Sequence, residues 1–261
     1  MNVKCFECDA LLEADDAEGA DGAVRALVAH GEEQHAWSYP EQTVRAYALN
    51  YVDATERLTG PTERLPEIGG VTIHPVTEDR VKDWLQFFDH DAFAGNPDWA
   101  SCYCLDSHEL PAPEAKELDW RRRRSTMDGR LRCGATFGYL AYVDGRTAGW
   151  VNASFRSEYG LYRLVDPGGP EPRSVIGVSC FAIAPPFRRH GIASALLDRV
   201  IGDAPGRGAR WIEGYPHNDR EGDAGHFRGP RSMFEARGFR AVEVLEHYTV
   251  VRRPAGGGGA E

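Results

Sequence analysis

Two cysteines and two histidines near the N-terminus carry ligand chemistry. Cys5 and Cys8 form a C-x2-C knuckle, and His30 and His35 follow near the end of an expected helix. Two thiolates and two imidazoles are a set that Zn2+ binds tetrahedrally with no open position, so the expected site is structural. The twenty-one residues between Cys8 and His30 exceed ordinary finger spacing, and Gly31 suggests a helix that loosens to let both histidines reach. Two incidental cysteines beside surface histidines are the competing reading.

A second constellation is built for an anion. Val178-Ser179-Cys180-Phe181-Ala182-Ile183-Ala184-Pro185-Pro186-Phe187-Arg188-Arg189-His190-Gly191-Ile192-Ala193 reads as a buried strand, a basic turn and the start of an amphipathic helix. A helix N-terminus offers unpaired N–H groups and partial positive charge, and small residues let an anion approach the backbone. Arg188, Arg189 and His190 add charge beside it. A solvated basic turn is the plain alternative.

The spacing separates the two. With Arg188, Gly191 and Ala193 in the matching places, this segment resembles the Arg/Gln-x-x-Gly-x-Gly/Ala acetyl-CoA motif of the GNAT superfamily of N-acetyltransferases. Phe234-Glu235-Ala236-Arg237-Gly238-Phe239 is similar to the aromatic-Glu-x-x-Gly-Phe close of that family's last helix. The resemblance implies a V-shaped opening between the strands at 175–183 and 210–213, with coenzyme A lying in it. Backbone groups of Phe181 and Ile183 would pair with the pantetheine arm. The turn of Arg188, Arg189, His190, Gly191, Ile192, Ala193 and Ser194 would hold the pyrophosphate, and the acetyl group would pass to an amine on a small molecule or a protein.

Phe234 stands where the family commonly has a proton-donating Tyr. Tyr215, His217 or Ser232 would have to replace it, and Glu213 would serve as base, directly or through water. Each also has a plain reading as packing or solvated surface. A silent acyl-CoA sensor is the alternative of a different class. Trp99-Ala100-Ser101-Cys102-Tyr103-Cys104 falls where the family builds its acceptor pocket, with Cys102 and Cys104 read as small core residues rather than reactive thiols.

These residues need elements to position them. Apolar positions at helical spacing over 40–58 predict an amphipathic helix, and Thr59-Gly60-Pro61 stops it. The reading is a small acidic Cys2His2 α+β module over 1–58, a linker over 59–70, an α/β GNAT-like domain over 71–253 with a mixed, mostly antiparallel sheet and flanking helices, and a flexible tail over 254–261. Within the larger domain the order is a strand at 71–76, helices at 81–88 and 114–127, and a hairpin of 136–143 with 147–153 around Asp144-Gly145. A strand at 175–183, a helix at 191–201, a strand at 210–213, a helix through Arg237 and one strand at 242–251 complete it. Trp120 and Arg121-Arg122-Arg123-Arg124 read as one helix with a basic outer face, either simply solvated or suited to an acidic acceptor.

Composition sets the outer limits. The 261 residues carry a formal charge of −10, with 42% hydrophobic residues, which suits a folded soluble protein. Nucleic acid and anionic lipid are disfavoured as partners. Residues 1–40 hold two basic against nine acidic side chains, so the module is read as structural or as a contact for a protein partner or a second copy of the chain. The longest uncharged stretch, 174–187, is too short to cross a bilayer, and no apolar leader opens the sequence, so a cytoplasmic location is expected.

Overall fold

The computed structural model describes residues 1–8, 10–37, 39–108, 119–162, 165–166, 168–219 and 226–256. The start of the helix expected over 114–127, residues 220–225 of the loop after His217, and the tail from 257 lie outside the described residues.

At the N-terminus, β1 (Asn2–Lys4) pairs antiparallel with β2 (Leu11–Glu13), and both lie against α1 (Gly19–His35) and α2 (Glu41–Arg57). Val44, Ala48 and Tyr51 recur at helical spacing, so α2 buries one stripe against Val3, Ala23, Val24 and Leu27. Gly31 does not loosen α1, which runs unbroken. A Cβ at Gly31 would stand 1.9 Å from the Trp37 ring, and the Trp37 amide donates to the Gly31 carbonyl at 3.1 Å. Glycine is there so that the indole can fold back onto the helix.

The larger sheet has seven strands in the order β3-β4-β5-β6-β7-β9-β8. They are β3 (Val71–Pro75), β4 (Gly138–Val143), β5 (Arg146–Phe155), β6 (Val175–Ile183), β7 (Trp211–Gly214), β8 (Arg240–Val244) and β9 (Thr249–Pro254). Only β6 and β7 pair in parallel, because the helix α5 (Ile192–Asp203) carries the chain back between them. The β4–β5 hairpin turns at Asp144 and Gly145, with φ of 50° and 80°, as an Asp-Gly turn requires. The other helices are α3 (Val81–Gln86), continued as a π-helical turn at Phe87–Asp91, α4 (Trp120–Arg132) and the short α6 (Arg231–Glu235).

Two readings are corrected. The single strand expected over 242–251 is a hairpin of β8 and β9, closed by the Leu245 amide donating to Tyr248 O. The arginine run on α4 is not merely solvated: Arg121 pairs with Asp53, Arg123 with Asp106, and Arg124 forks onto Asp89 through Nε at 2.8 Å and Nη2 at 2.7 Å. Ion pairs to neighbouring elements consume three of the four charges.

Candidate functional site

The site begins where two strands part. β6 and β7 pair from Val175 and Trp211 only as far as Val178 and Gly214, while β6 runs on to Ile183 with β5 on its other side. The Phe234 ring sits against Gly214 at the fork, where a Cβ would stand 2.4 Å from it. Past Ile183 the chain turns through left-handed backbone at Arg189 and Gly191, with φ of 64° and 78°, into α5. A side chain at Gly191 would be strained by that φ, and nothing lies within 4 Å of where its Cβ would stand. Gly191, the N-cap of α5, has no side chain to cap its first amides. Arg188 Nε donates to Ile183 O at 3.0 Å and braces the turn, while His190 Nε2 meets Leu65 O at 2.9 Å.

The backbone positions expected for pantetheine are already in use. Phe181 N donates to Phe227 O at 2.6 Å, and Ile183 O accepts from Arg188. A ligand entering along β6 must displace the Phe227 carbonyl.

Beside this edge lies a cavity of about 720 Å³, bounded by Trp99, Cys102, Tyr162, Cys180, Phe181 and Arg228 among others. Cys104 Sγ lies 3.0 Å from Cys180 Sγ, and Cys102 Sγ lies 3.4 Å from Asp106. Burial pushes the Cys102 and Cys104 thiols well above their usual range, so both stay protonated, which suits small packing residues better than nucleophiles. Below them, His108 is pushed down to about 4 by burial and by Arg130, and its neutral ring meets Asn152 at 2.9 Å.

The residues expected to do acid and base chemistry stand elsewhere. Glu213 is fully buried, with Arg156 Nη1 donating to Oε1 at 3.0 Å and Arg252 Nε to the same oxygen at 2.7 Å. Both carboxylate oxygens of this expected base are engaged, by cations and by the Tyr215 hydroxyl at 3.1 Å. Tyr215, expected as a proton donor, donates its hydroxyl to Glu213, and burial raises its pKa well above 10. His217 Nδ1 meets His247 O at 3.2 Å, and neither His217 nor the exposed Ser232 lines the cavity. Tyr162, Ser179, Asp219 and Arg228 do line it, and spacing alone offered no sign of them.

With that geometry in hand, comparison is decisive for the central segment. Residues 99–222 match the model of the acetyltransferase (GNAT) family. That segment is a GNAT acetyltransferase domain. No curated protein matches it. Among solved structures, it is similar to an acetyltransferase of Thermus thermophilus, with 21% identity, TM-score 0.42, and 72% of this chain covering 98% of that one. A protein of Salmonella typhimurium assigned as an acetyltransferase, with its cofactor acetyl-CoA, shows 14% identity and TM-score 0.44, covering 73% and 96%. The PaiA N-acetyltransferase of Thermoplasma acidophilum, in complex with coenzyme A, shows 12% identity and TM-score 0.44, covering 71% and 99%.

Outside the GNAT match, Cys5, Cys8, His30 and His35 bring one ligand atom each to within 4.8 Å of the others, the one such cluster among the described residues. Cys5 Sγ lies 3.6 Å from His35 Nε2, and Cys8 Sγ lies 3.2 Å from His30 Nε2. Tetrahedral Zn2+ with ordinary Zn–S and Zn–N bonds needs S···N edges of about 3.6 Å, so the donors fit. The other nitrogen of His35 faces Glu7 at 3.4 Å, the carboxylate partner that metal-bound histidines usually have. α2 docks this cluster onto the GNAT segment. Arg57 donates to Phe88 O at 3.1 Å, Asp89 O at 2.9 Å and Ala100 O at 3.3 Å, and stacks on Trp120 at 4.4 Å. Among the described residues, no helix is long and apolar enough to cross a membrane.

Proposed function

We propose that this chain moves an acetyl group from acetyl-CoA to an amine. The observation that supports this best is the length of β6 past Val178 from which β7 has parted, leading straight into the left-handed Gly191 turn. Pantetheine would lie along Phe181 and Ile183 in place of the Phe227 carbonyl. The pyrophosphate would sit on the amides of Ile192, Ala193 and Ser194, with Arg188 and Arg189 beside it and His190 anchoring the turn to Leu65. A neutral amine attacks the thioester carbonyl, the C–S bond breaks, and the thiolate of coenzyme A takes a proton. Tyr162 is the phenol that lines the cavity, and we assign it that donation in place of Phe234. The attacking nitrogen loses its extra proton to water as the adduct collapses to the amide, since Glu213 is engaged by Arg156 and Arg252.

The test is coenzyme A release over a panel of amines, paired with acetyl-CoA titration of Gly191→Glu. Release from wild type, and an affinity loss of at least tenfold in the variant, are expected, because the carboxylate would stand where phosphate belongs. Tight binding without release on any amine would favour a silent sensor. Unchanged affinity in folded Gly191→Glu would remove the pyrophosphate site.

Zn2+ belongs to the same reading as a structural ion. It would be held by Cys5, Cys8, His30 and His35 in a module over 1–58, joined by a linker over 59–70 to a transfer domain over 71–253 and a tail over 254–261. Purified protein is expected to contain about one zinc per chain, and Cys5→Ser to lose it, as elemental analysis would read. Equal metal in both would exclude the site.

A further inference from the structure

Among the described residues, one cation on the cavity wall has no acidic counterpart. Arg228 follows Phe227 in the turn that meets β6, and its Nε and Nη1 are buried with no hydrogen-bond partner among those residues. Its guanidinium lies 5.4 Å from the Tyr162 ring centre, 5.4 Å from Phe227 and 5.1 Å from Tyr248. Aromatic faces hold it in place and supply cation–π attraction, but they cannot accept its N–H bonds in the plane. Leaving such donors unmade forfeits their hydration without replacement. The other arginine on this wall, Arg123, is matched by Asp106.

We propose that the acyl acceptor carries a carboxylate beside its reactive amine, and that Arg228 is the group that binds the carboxylate. This rests on the acetyl-transfer reading above. A planar monoanion suits a guanidinium fixed by aromatic rings, because the two groups can form parallel, charge-assisted bonds. A phosphate dianion suits it less, since Asp98, Asp106 and Asp219 face the same cavity and would repel the second charge. Asp219 in turn offers negative charge to the ammonium end as it docks. Phe93, Trp99 and Leu161 supply apolar wall, so the class is an amino acid or similar amino carboxylate with an apolar body.

The test uses two readouts on the full chain. In turnover, amino carboxylates are expected to exceed their carboxamides by roughly 10–100-fold in kcat/KM, the usual worth of a charged hydrogen bond. Arg228→Gln should bring that ratio near one while the acetyl-CoA Kd holds, and Arg228→Lys should retain part of it. In calorimetry, 3-phenylpropionate should bind wild type at least tenfold more tightly than 3-phenylpropionamide, and inorganic phosphate should not compete. Equal binding of acid and amide, effective competition by phosphate, or an Arg228→Gln loss confined to acetyl-CoA affinity would overturn the assignment. Acid-selective binding without coenzyme A release on any amine would overturn the transfer reading and leave the carboxylate site standing. Release on uncharged amines without acid preference would do the reverse.

Discussion

Glu213→Ala is expected to lower stability by about 3–5 kcal/mol, because it removes one partner of a fully buried charge network. Glu213 faces Arg156 and Arg252, and Arg252 also reaches Asp166 at 2.5 Å, so two carboxylates balance two guanidiniums. The Arg156 side chain is 2% exposed and cannot recover its lost partner from water. For a domain of this size the loss corresponds to a drop on the order of 10 °C in Tm. Glu213→Gln should cost less, since it keeps one carbonyl oxygen as an acceptor for the guanidiniums. Calorimetric melting of both variants gives the answer, and a wild-type Tm with selectively lost turnover would restore Glu213 as a base.

The second large effect is on rate. Tyr162→Phe is expected to lower kcat by roughly 10²–10⁴ while acetyl-CoA affinity stays near wild type, as removal of a positioned proton donor does. The substitution deletes one oxygen and keeps the ring that stacks on Tyr215 at 3.8 Å, so the fold should hold. Burial raises the Tyr162 pKa above its usual 10, which means the donor keeps its proton as pH rises through the neutral range. Loss of this proton should therefore not depress kcat below about pH 10. A Tyr162→Phe variant with unchanged kcat would show that protonation comes from water.

The strand at Val175–Ile183 and the helix after Gly191 were legible because a continuous apolar run, a double proline and a glycine are local signals. The β8–β9 hairpin was not, because its turn at Leu245–Tyr248 lacks the Asn-Gly or Asp-Gly signal that marked Asp144-Gly145. The cluster of Cys5, Cys8, His30 and His35 was legible from residue type, but the reason for Gly31 was not: a close approach by Trp37 is a contact, and spacing carries no contacts.

The same division runs through the site. Sequence by itself determined the turn ahead of α5, since left-handed backbone, small residues and a helix start are consequences of neighbouring residue types. It also determined the donor set of Cys5, Cys8, His30 and His35. Tertiary structure alone decided that Glu213 is buried between two cations, because Arg156 and Arg252 reach it from fifty-seven and thirty-nine residues away. It alone brought Tyr162 and Arg228 to one cavity wall and left Arg228 without an acid among the described residues. Charge becomes chemistry or scaffold according to which opposite charge packs against it, and that pairing is fixed by long-range folding rather than by any pattern along the chain.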